Sequence, residues 1–215
     1  MPVTSNAREL AAKIAHFAAD GVFNPYAQRC SVFDVPNAVA IRRKNLDVML
    51  EAAAGSCTSI WVGRDLGYKG GRRTGLALTD DLNYSNHLAR FGIEARLPVK
   101  PPFMSERTAA IVWHEIDKIN EPIFFWNLFP YHPHRPDDPF SNRPHNAQER
   151  KAGLQILDCL VSMIKPHKII AIGADAATAC TRFESNLSLC QVRHPSYGGA
   201  NIFRAQIRDI YEVAD

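Results

Sequence analysis

Residues 59–67 read Ser-Ile-Trp-Val-Gly-Arg-Asp-Leu-Gly, a short apolar run that ends in a polar turn with two glycines. The run predicts a strand buried on both faces, as in parallel sheets. A similar block lies near the other end of the chain, where the apolar segment 187–192 precedes His-Pro-Ser-Tyr-Gly-Gly at 194–199. In an open parallel sheet, the loops at the carboxyl ends of the strands form the ligand crevice. We therefore predict that Asp65 and His194 face one ligand.

The two loops are named here by their residues. Loop 1 comprises residues 63–79 and ends in Gly-Leu-Ala-Leu-Thr at 75–79, whereas loop 2 comprises residues 194–199. Loop 1 is long and rich in glycine, and long loops in compact domains tend to be functional. Both loops are therefore candidates for the ligand site.

Apolar and helical segments alternate along the rest of the chain. Strands are predicted at 59–63, 122–129, 168–173 and 187–193, and helices at 6–20, 46–54, 80–91, 105–117, 146–164 and 200–213 and from residue 174 onward. This alternation is typical of a parallel sheet with helices on both faces. We predict an α/β fold, a three-layer α/β/α sandwich around a mainly parallel four-stranded sheet. One domain is expected over 1–215, with a helical part at 1–54 and a motif-bearing core at 55–213.

The composition is that of a globular protein, with 46% hydrophobic and 22% charged residues in a chain of 215. No run approaches the roughly 20 apolar residues that a membrane span needs, so no membrane association is expected. The first residues lack the basic and then apolar layout of a secretory signal, which predicts a cytoplasmic protein. Trp61, Trp113 and Trp126 lie in or near apolar runs and are expected in the core.

The five cysteines argue against several classes of site. They are odd in number, widely spaced and contain no Cys-x-x-Cys pair, which disfavours a disulfide scaffold, a zinc site and an iron–sulfur cluster. Pairing of Cys180 with Cys190 is an open alternative. Cys57 and Cys159 are expected to be small core residues.

The net charge of +3 permits a polyanionic partner without requiring one. Basic residues cluster at 42–44, where a solvated surface is an equally good interpretation. A second cluster, in loop 1, combines cations with Gly70 and Gly71, which let a backbone approach a ligand closely. We predict phosphate contacts for three basic residues of this cluster: Lys69, Arg72 and Arg73.

Taken together, the motifs resemble the uracil-DNA glycosylase superfamily. Its best-known branch has Gly-Gln-Asp-Pro-Tyr-His, then Gly-Leu-Ala-Phe-Ser about a dozen residues after the Asp, an Asn on an apolar strand, and a final His-Pro-Ser-Pro-Leu. Here Asp65, Leu78, Asn127 and His194 stand in those places, in that order, with Ile-Ala-Ile-Gly before the last motif. The resemblance covers roughly 55–213. Iron–sulfur branches are excluded as close relatives because the chain lacks their four-cysteine set.

The resemblance implies a monofunctional DNA glycosylase. Such an enzyme hydrolyses the N-glycosidic bond of a deaminated base and leaves an abasic site. Uracil is the leading substrate, and hypoxanthine or xanthine comes second. The implied partner is damaged DNA, single- or double-stranded, the protein is expected to be a monomer, and neither a cofactor nor a metal is required.

The residue chemistry suits these roles. A carboxylate beneath the sugar stabilises its oxocarbenium-like centre, which fits Asp65. A hydrogen-bond donor at the base oxygen stabilises the leaving anion, which fits His194. An amide that donates and accepts can recognise the edge of an extruded base, which fits Asn127. With these neighbours, the predicted substrate-binding residues are Gly63, Arg64, Gly67, Tyr68, Leu78, Asn127, Phe129, Ser196 and Tyr197.

Several positions depart from the family pattern. Gly67 replaces a Tyr that blocks a 5-methyl group, so a larger base is admitted. Leu78 replaces a Phe that stacks on the base, and Phe129 or Tyr68 could supply a ring instead. Arg64 stands where many relatives have Gln or Glu. In loop 2, Gly198 replaces a Leu wedge, and Tyr197 beside it could fill the hole left by the base.

Three alternatives stay open from the sequence. The histidines and carboxylates of the 131–145 loop could suggest a metal site, although we favour a loop that lines a nucleic-acid groove; these residues are His132, His134, Asp137, Asp138 and His145. The chain could bind nucleic acid without catalysis. It could also hydrolyse nucleosides or nucleotides, with residues 69–73 on a phosphate.

Overall fold

The computed structural model describes residues 5–213; the two ends of the predicted domain, residues 1–4 and 214–215, lie outside the described residues. Strands β1 to β6 are, in order, Val22–Phe23, Ser59–Asp65, Ile123–Phe129, His132–Pro133, Lys168–Ile172 and Ser188–Val192. Helices α1 to α8 are Ser5–His16, Ala38–Ala53, Gly71–Thr74, Tyr84–Ala89, Arg107–Ile116, Ala147–Ile164, Ala174–Cys180 and Ala200–Tyr211. A 3-10 turn, Thr181–Phe183, follows α7.

The central sheet has four parallel strands in the order β3-β2-β5-β6. The predicted α/β sandwich with a four-stranded parallel sheet is therefore confirmed. Strand β2 is central, and its register places Gly63 beside Asn127 and Asp65 beside Phe129 of β3. The carboxyl ends of β2 and β3 thus bring the start of loop 1 next to Asn127.

Alternate residues of the strands pack on opposite faces of the sheet. Ile60 and Val62 contact a core built with α1, α2, α6 and α7, whereas Trp61 lies in a second core formed with α5 and α8. This alternation follows from the period of two in a strand. All three tryptophans are buried, as predicted.

Helix α2 is longer than the predicted helix at 46–54, because it begins at Ala38. The basic cluster at 42–44 therefore lies on a helix, and only part of it faces solvent. Arg42 is 1% exposed and forms an ion pair with the buried Asp34, with its Nη1 2.9 Å from Oδ2. Its Nε also donates to the carbonyl oxygen of Arg73 at 2.9 Å. The surface interpretation fails for Arg42, which joins α2 to loop 1.

Helix α6 begins where the sequence predicted. The Asn146 side chain accepts hydrogen bonds from the backbone of Gln148 and Glu149. In turn, the Asn146 backbone N–H donates to the Glu149 carboxylate at 2.7 Å. This capping box satisfies backbone donors that a helix start leaves unpaired. It fixes the residue just before it, His145, at a defined place above the sheet.

Other boundaries and one core assignment differ from the predictions. Helix α1 ends at His16 rather than at residue 20, and the short pair β1 and β4 occupies segments expected to be loops. All five cysteines are free, so Cys180 and Cys190 do not pair, and Cys159 is exposed rather than in the core. Across residues 5–213, every helix is too short or too polar to cross a bilayer.

Candidate active site

Asp65 is the last residue of β2, and its side chain is only 7% exposed. Its carboxylate accepts a hydrogen bond from Arg64 Nε at 2.7 Å and a second one from His145 Nδ1. The strand was predicted to end at residue 63, but it continues to Asp65, so the carboxylate is fixed by the sheet and not by a loop. Two donors hold its orientation at the strand end.

His145 is a site residue whose role the sequence did not reveal. Its ring lies 6.0 Å from that of Phe129, and its side chain is 5% exposed. It stands next to the N-cap of α6, and the preceding loop is held by an ion pair between Arg143 and Glu149 at 2.7 Å. The N-cap pattern at Asn146 was the available signal that this histidine would be immobilised, but nothing in the sequence paired it with Asp65.

His194 follows β6 and lies beneath the turn of loop 2. Burial lowers the pKa of its imidazole, and the cations Arg64 and Arg193 lower it further. The backbone N–H of Ser196 donates to Nδ1 at 3.2 Å, which leaves Nε2 as the protonated donor of a neutral ring. The charge of Arg64, which binds Asp65, thus also acts on the imidazole of His194.

Gly173 explains why the ring of His194 sits where it does. This residue ends the Ile-Ala-Ile-Gly segment with φ of +89°, in the region that favours glycine. A Cβ built at this position would lie 3.3 Å from the Cβ of His194. The glycine therefore lets loop 2 approach the end of β5.

Asn127 provides a buried polar group between β2 and loop 1. Its side chain lies over Gly63, where an added Cβ would come within 2.3 Å of Oδ1. This oxygen is buried and lacks a hydrogen-bond partner among the described residues. An unpaired buried acceptor costs about 1–3 kcal/mol, and such groups occur at functional sites as well as at sites that hold an ordered water.

Leu78 lies beside that amide in a strained backbone conformation. Its φ is +54°, and its Cδ2 would be 3.2 Å from a Cβ at Gly63. The Trp113 indole N–H donates to the Leu78 carbonyl at 3.1 Å and holds the turn. Non-glycine residues with positive φ cost free energy and persist where the surrounding structure fixes them. A small surface that is partly apolar and partly polar is thus formed by Leu78, Gly63 and Asn127.

Two of the predicted phosphate contacts are wrong, because Arg73 and Arg72 are buried. Arg73 is 1% exposed, pairs with Asp81 at 2.7 Å and donates to the carbonyl of Pro102 at 3.1 Å. Arg72 is 4% exposed, with its guanidinium 4.0 Å from the ring centroid of Phe23. The basic appearance of loop 1 in the sequence therefore reflects internal support of the loop.

Lys69 is the one exposed member of that predicted trio, and its ammonium lies 5.6 Å from the ring centroid of Tyr68. Tyr68 is half-buried, and its N–H donates to Asn142 Oδ1 at 3.0 Å. Phe129 is fully buried against Phe17 and Tyr131, so the prediction that it stacks on a ligand is wrong. The edge of loop 1 at 68–69 thus keeps its contact with solvent.

Loop 2 presents one aromatic side chain to solvent. Tyr197 is 98% exposed and has φ of +51°, and Gly198 beside it has φ of +78°. Ser196 lies behind them, with Oγ 3.4 Å from Oγ1 of Thr108 at the start of α5. The tyrosine ring therefore projects from a loop that is held from behind by the contact between Ser196 and Thr108.

Glu106 is a second residue that the sequence did not single out. It immediately precedes α5, and its carboxylate lies against the backbone of Gly67 and Gly70 in loop 1. Burial and the nearby Asp80 raise its pKa to about 7, although Lys69 acts in the opposite direction. The lone hint in the sequence was a glutamate at the start of a helix that follows the loop.

The histidines of the 131–145 loop are not gathered around a common point. His132 is buried, its Nε2 lies 3.3 Å from Asn142 Oδ1, and burial lowers its pKa to about 3. Asp138 pairs with Arg135 at 2.9 Å. Within residues 5–213, no three side chains among His, Cys, Asp and Glu come together as metal ligands.

Comparisons with known proteins find similarity in fold but not in sequence. No protein-family model matches the chain, and no curated protein is similar in sequence. The solved structure of wild-type SMUG2 from Pedobacter heparinus is similar, with a TM-score of 0.63 and 10% identity over 96% of this chain and 95% of that one. Wild-type UNG from Nitratifractor salsuginis matches at a TM-score of 0.42 and 11% identity, over 98% and 96% of the two chains.

The first of these similarities carries the argument. It shows that the chain has a fold similar to that of the SMUG2 structure. The match to UNG is too distant to add to it. At 10% identity the likeness concerns the fold, and any activity has to be argued from the site itself.

Proposed function

We propose that this protein is a monofunctional DNA glycosylase that removes a deaminated base, with uracil as the leading substrate and hypoxanthine or xanthine as the second. One observation carries the proposal. The Asp65 carboxylate is held by Arg64 and His145 at the end of β2, and His194 follows β6, so both side chains stand at the carboxyl ends of parallel strands in one sheet. This is the crevice where α/β sheets bind ligands.

The proposed reaction breaks the bond between C1′ of the sugar and the ring nitrogen of the base. Both electrons of that bond leave with the base, so the sugar becomes positively charged and the base negatively charged. Asp65, held by His145 and Arg64, stabilises the sugar cation. Water then adds to C1′, and its proton passes to the Asp65–His145 pair.

His194 acts on the departing base. Its protonated Nε2 donates a hydrogen bond to the oxygen on which negative charge develops, and donors of this kind are worth about 3–4 kcal/mol in other enzymes. Asn127 supports base recognition, since its orphaned Oδ1 can accept the ring N–H of uracil or hypoxanthine. Both groups are placed before the substrate arrives.

Contacts with DNA are proposed at two surfaces. Lys69 is exposed at the edge of loop 1, and Tyr197 projects from loop 2 as the wedge that fills the space of the extruded base. A cleft of about 450 Å³ between α5 and α8 starts beside Gly198 and carries Arg107 and Arg204. These cations replace the buried Arg72 and Arg73 as candidates for phosphate contact.

The test is a strand-cleavage assay. Labelled oligonucleotides that carry one uracil, hypoxanthine, xanthine or mismatched thymine are incubated with the protein in EDTA and then treated with hot alkali. We expect cleavage at uracil that is lost in Asp65→Asn, with Asp175→Asn as the matched control on the exposed side of Arg64. Cleavage that persists in Asp65→Asn, or none with any base, would contradict the proposal.

A second candidate is a non-catalytic protein that binds nucleic acid. The observation in its favour is the Arg64–Asp65 hydrogen bond at 2.7 Å, which occupies a carboxylate oxygen that a water would otherwise use. Salt-sensitive binding without an abasic product would support it. The third alternative, a nucleotide hydrolase with its phosphate on residues 69–73, loses its main support because Arg72 and Arg73 are buried.

A further inference from the structure

The start of α5 touches both loops of the proposed site. The backbone N–H of Glu106 donates to Asp80 Oδ2 at 2.7 Å, at the end of loop 1. Two residues further on, the Thr108 hydroxyl lies 3.4 Å from that of Ser196 in loop 2. Glu106 is therefore held at the junction between the two loops, where an extruded base would enter.

Its carboxylate occupies space that two glycines leave open. A Cβ at Gly67 would lie 2.7 Å from Oε1, and a Cβ at Gly70 would lie 2.1 Å from Oε2. Any side chain at either position would displace the Glu106 carboxylate. The departure from the family pattern at Gly67 thus has a structural counterpart, because a carboxylate fills the space beside this residue.

The carboxylate is placed close to the groups proposed to hold the base. Thr79 O would be 3.0 Å from the Cβ of Gly70, and the preceding residue, Leu78, contacts Gly63 beside Asn127. Residues 78–79 therefore connect the surroundings of Glu106 with those of the Asn127 amide.

Within residues 5–213, the Glu106 side chain makes neither a hydrogen bond nor an ion pair. The groups that face it are the Asp80 carboxylate, the Lys69 ammonium and the Thr79 carbonyl. Burial and the Asp80 charge outweigh Lys69, so its pKa rises to about 7. Near neutral pH, a large share of the Glu106 carboxyl groups is therefore protonated and can donate a hydrogen bond.

We propose that Glu106 contacts the substrate and, as a carboxylic acid, donates a hydrogen bond to the exocyclic oxygen that deamination creates. Uracil, hypoxanthine and xanthine carry such an oxygen next to a ring N–H, which Asn127 would accept. Cytosine and adenine carry an amino group at the same place. Its N–H would face the O–H of protonated Glu106, and two donors cannot form a hydrogen bond. The proton on Glu106 thus distinguishes a deaminated base from its parent. This inference rests on the proposed function and names the feature of the base that the site recognises.

The test measures binding, so that it does not depend on catalysis. Oligonucleotides that contain one 2′-fluoro-2′-deoxyuridine or one 2′-fluoro-2′-deoxycytidine, which resist cleavage, are titrated with the full chain at pH 6 and pH 8.5. For the wild-type protein, we expect a preference for uracil of at least about 10-fold at pH 6, the worth of one good hydrogen bond to a polar partner. It should fall by at least about 3-fold at pH 8.5, where Glu106 is ionised, and the preference that remains is the contribution of Asn127.

The matched variant is Glu106→Gln, which keeps the shape and cannot titrate. Its preference for uracil should be the same at both pH values, since an amide donates at either. Circular dichroism verifies that the variant is folded, and Glu184→Gln serves as a control carboxylate outside the site. A wild-type preference that does not change with pH, or a change that persists in Glu106→Gln, would overturn the inference.

Failure of the proposed function gives a different result. If the protein excises no base, the strand-cleavage assay is negative, yet the pH-dependent preference in binding still reports on Glu106. If excision occurs but the preference for uracil in binding does not change with pH, the glycosylase proposal is retained and the proposed role of Glu106 is refuted.

Discussion

Loops 1 and 2 follow the carboxyl ends of β2 and β6 at one edge of the sheet, but they are built in opposite ways. Residues 70–77 of loop 1 are all buried, and the loop is tied inward by Arg42 and by the Arg73–Asp81 ion pair. Loop 2 instead presents Tyr197 to solvent. This residue is 98% exposed and lies between a half-buried serine and an exposed glycine. The difference suggests a division of labour, in which loop 1 holds the reacting groups still and loop 2 meets the nucleic acid.

The largest expected effect comes from breaking the internal support of loop 1. Arg73→Ala would leave the buried Asp81 carboxylate without its partner, which typically costs about 3–5 kcal/mol. Urea unfolding should show this loss in the free energy of unfolding. Arg182→Ala, which breaks an exposed ion pair with Asp158 at 3.2 Å, is the control and should cost less than about 1 kcal/mol. Equal losses in the two variants would refute the structural role of Arg73.

The next effect concerns the reacting end of the same region. Asp65→Asn should lower the excision rate by at least about 10²-fold, because it removes a charge that stabilises the transition state. His145→Ala should also lower the rate, by releasing the carboxylate. Single-turnover rates on a uracil oligonucleotide measure both changes. If His145→Ala proves as active as wild type, the histidine does not orient Asp65.

A smaller effect is expected in loop 2. Tyr197→Ala removes an exposed ring, so the free energy of unfolding should change by less than about 0.5 kcal/mol. Excision from duplex DNA should fall about 10-fold, because an inserted ring no longer replaces the base in the stack. Excision from single strands should fall less. An equal loss on both kinds of DNA would argue against a wedge.

An effect on the pH dependence of stability tests the junction between the loops. The pKa of Glu106 is about 7 when folded and near its ordinary value of 4.5 when unfolded. Between these values the folded state binds more protons, so ionisation of Glu106 makes folding less favourable as the pH rises. Glu106→Gln lacks this penalty, and its unfolding free energy relative to wild type should increase from pH 5 to pH 8. Urea titrations at the two pH values would reveal an unchanged difference if the carboxylate were well solvated.

The predictable parts of the molecule were those set by local pattern. Apolar runs predicted the four parallel strands, and Asn146 with Glu149 predicted the start of α6. Residues that follow strand ends, such as Asp65 and His194, could be placed because the topology of parallel sheets brings those ends together. Periodicity and caps therefore carried the fold and placed these two residues after strand ends.

The missed parts depend on contacts between distant segments. Arg72 and Arg73 look like surface cations in sequence, and only their partners, Phe23 and Asp81, reveal that they are buried. Likewise, His145 lies 80 residues from Asp65 in the chain. Charge alone does not tell a buried cation from an exposed one, because burial depends on which carboxylates and rings the fold supplies.

The position at which α6 begins determines how the Asp65 carboxylate is oriented. His145 directly precedes Asn146, so the residue that begins the helix also sets the phase of the imidazole around the helix axis. A helix turns about 100° per residue, and a shift of its start by one position would swing the ring away from the β2 end. A single residue inserted between His145 and Asn146 would therefore uncouple Asp65 from His145 while leaving both side chains intact.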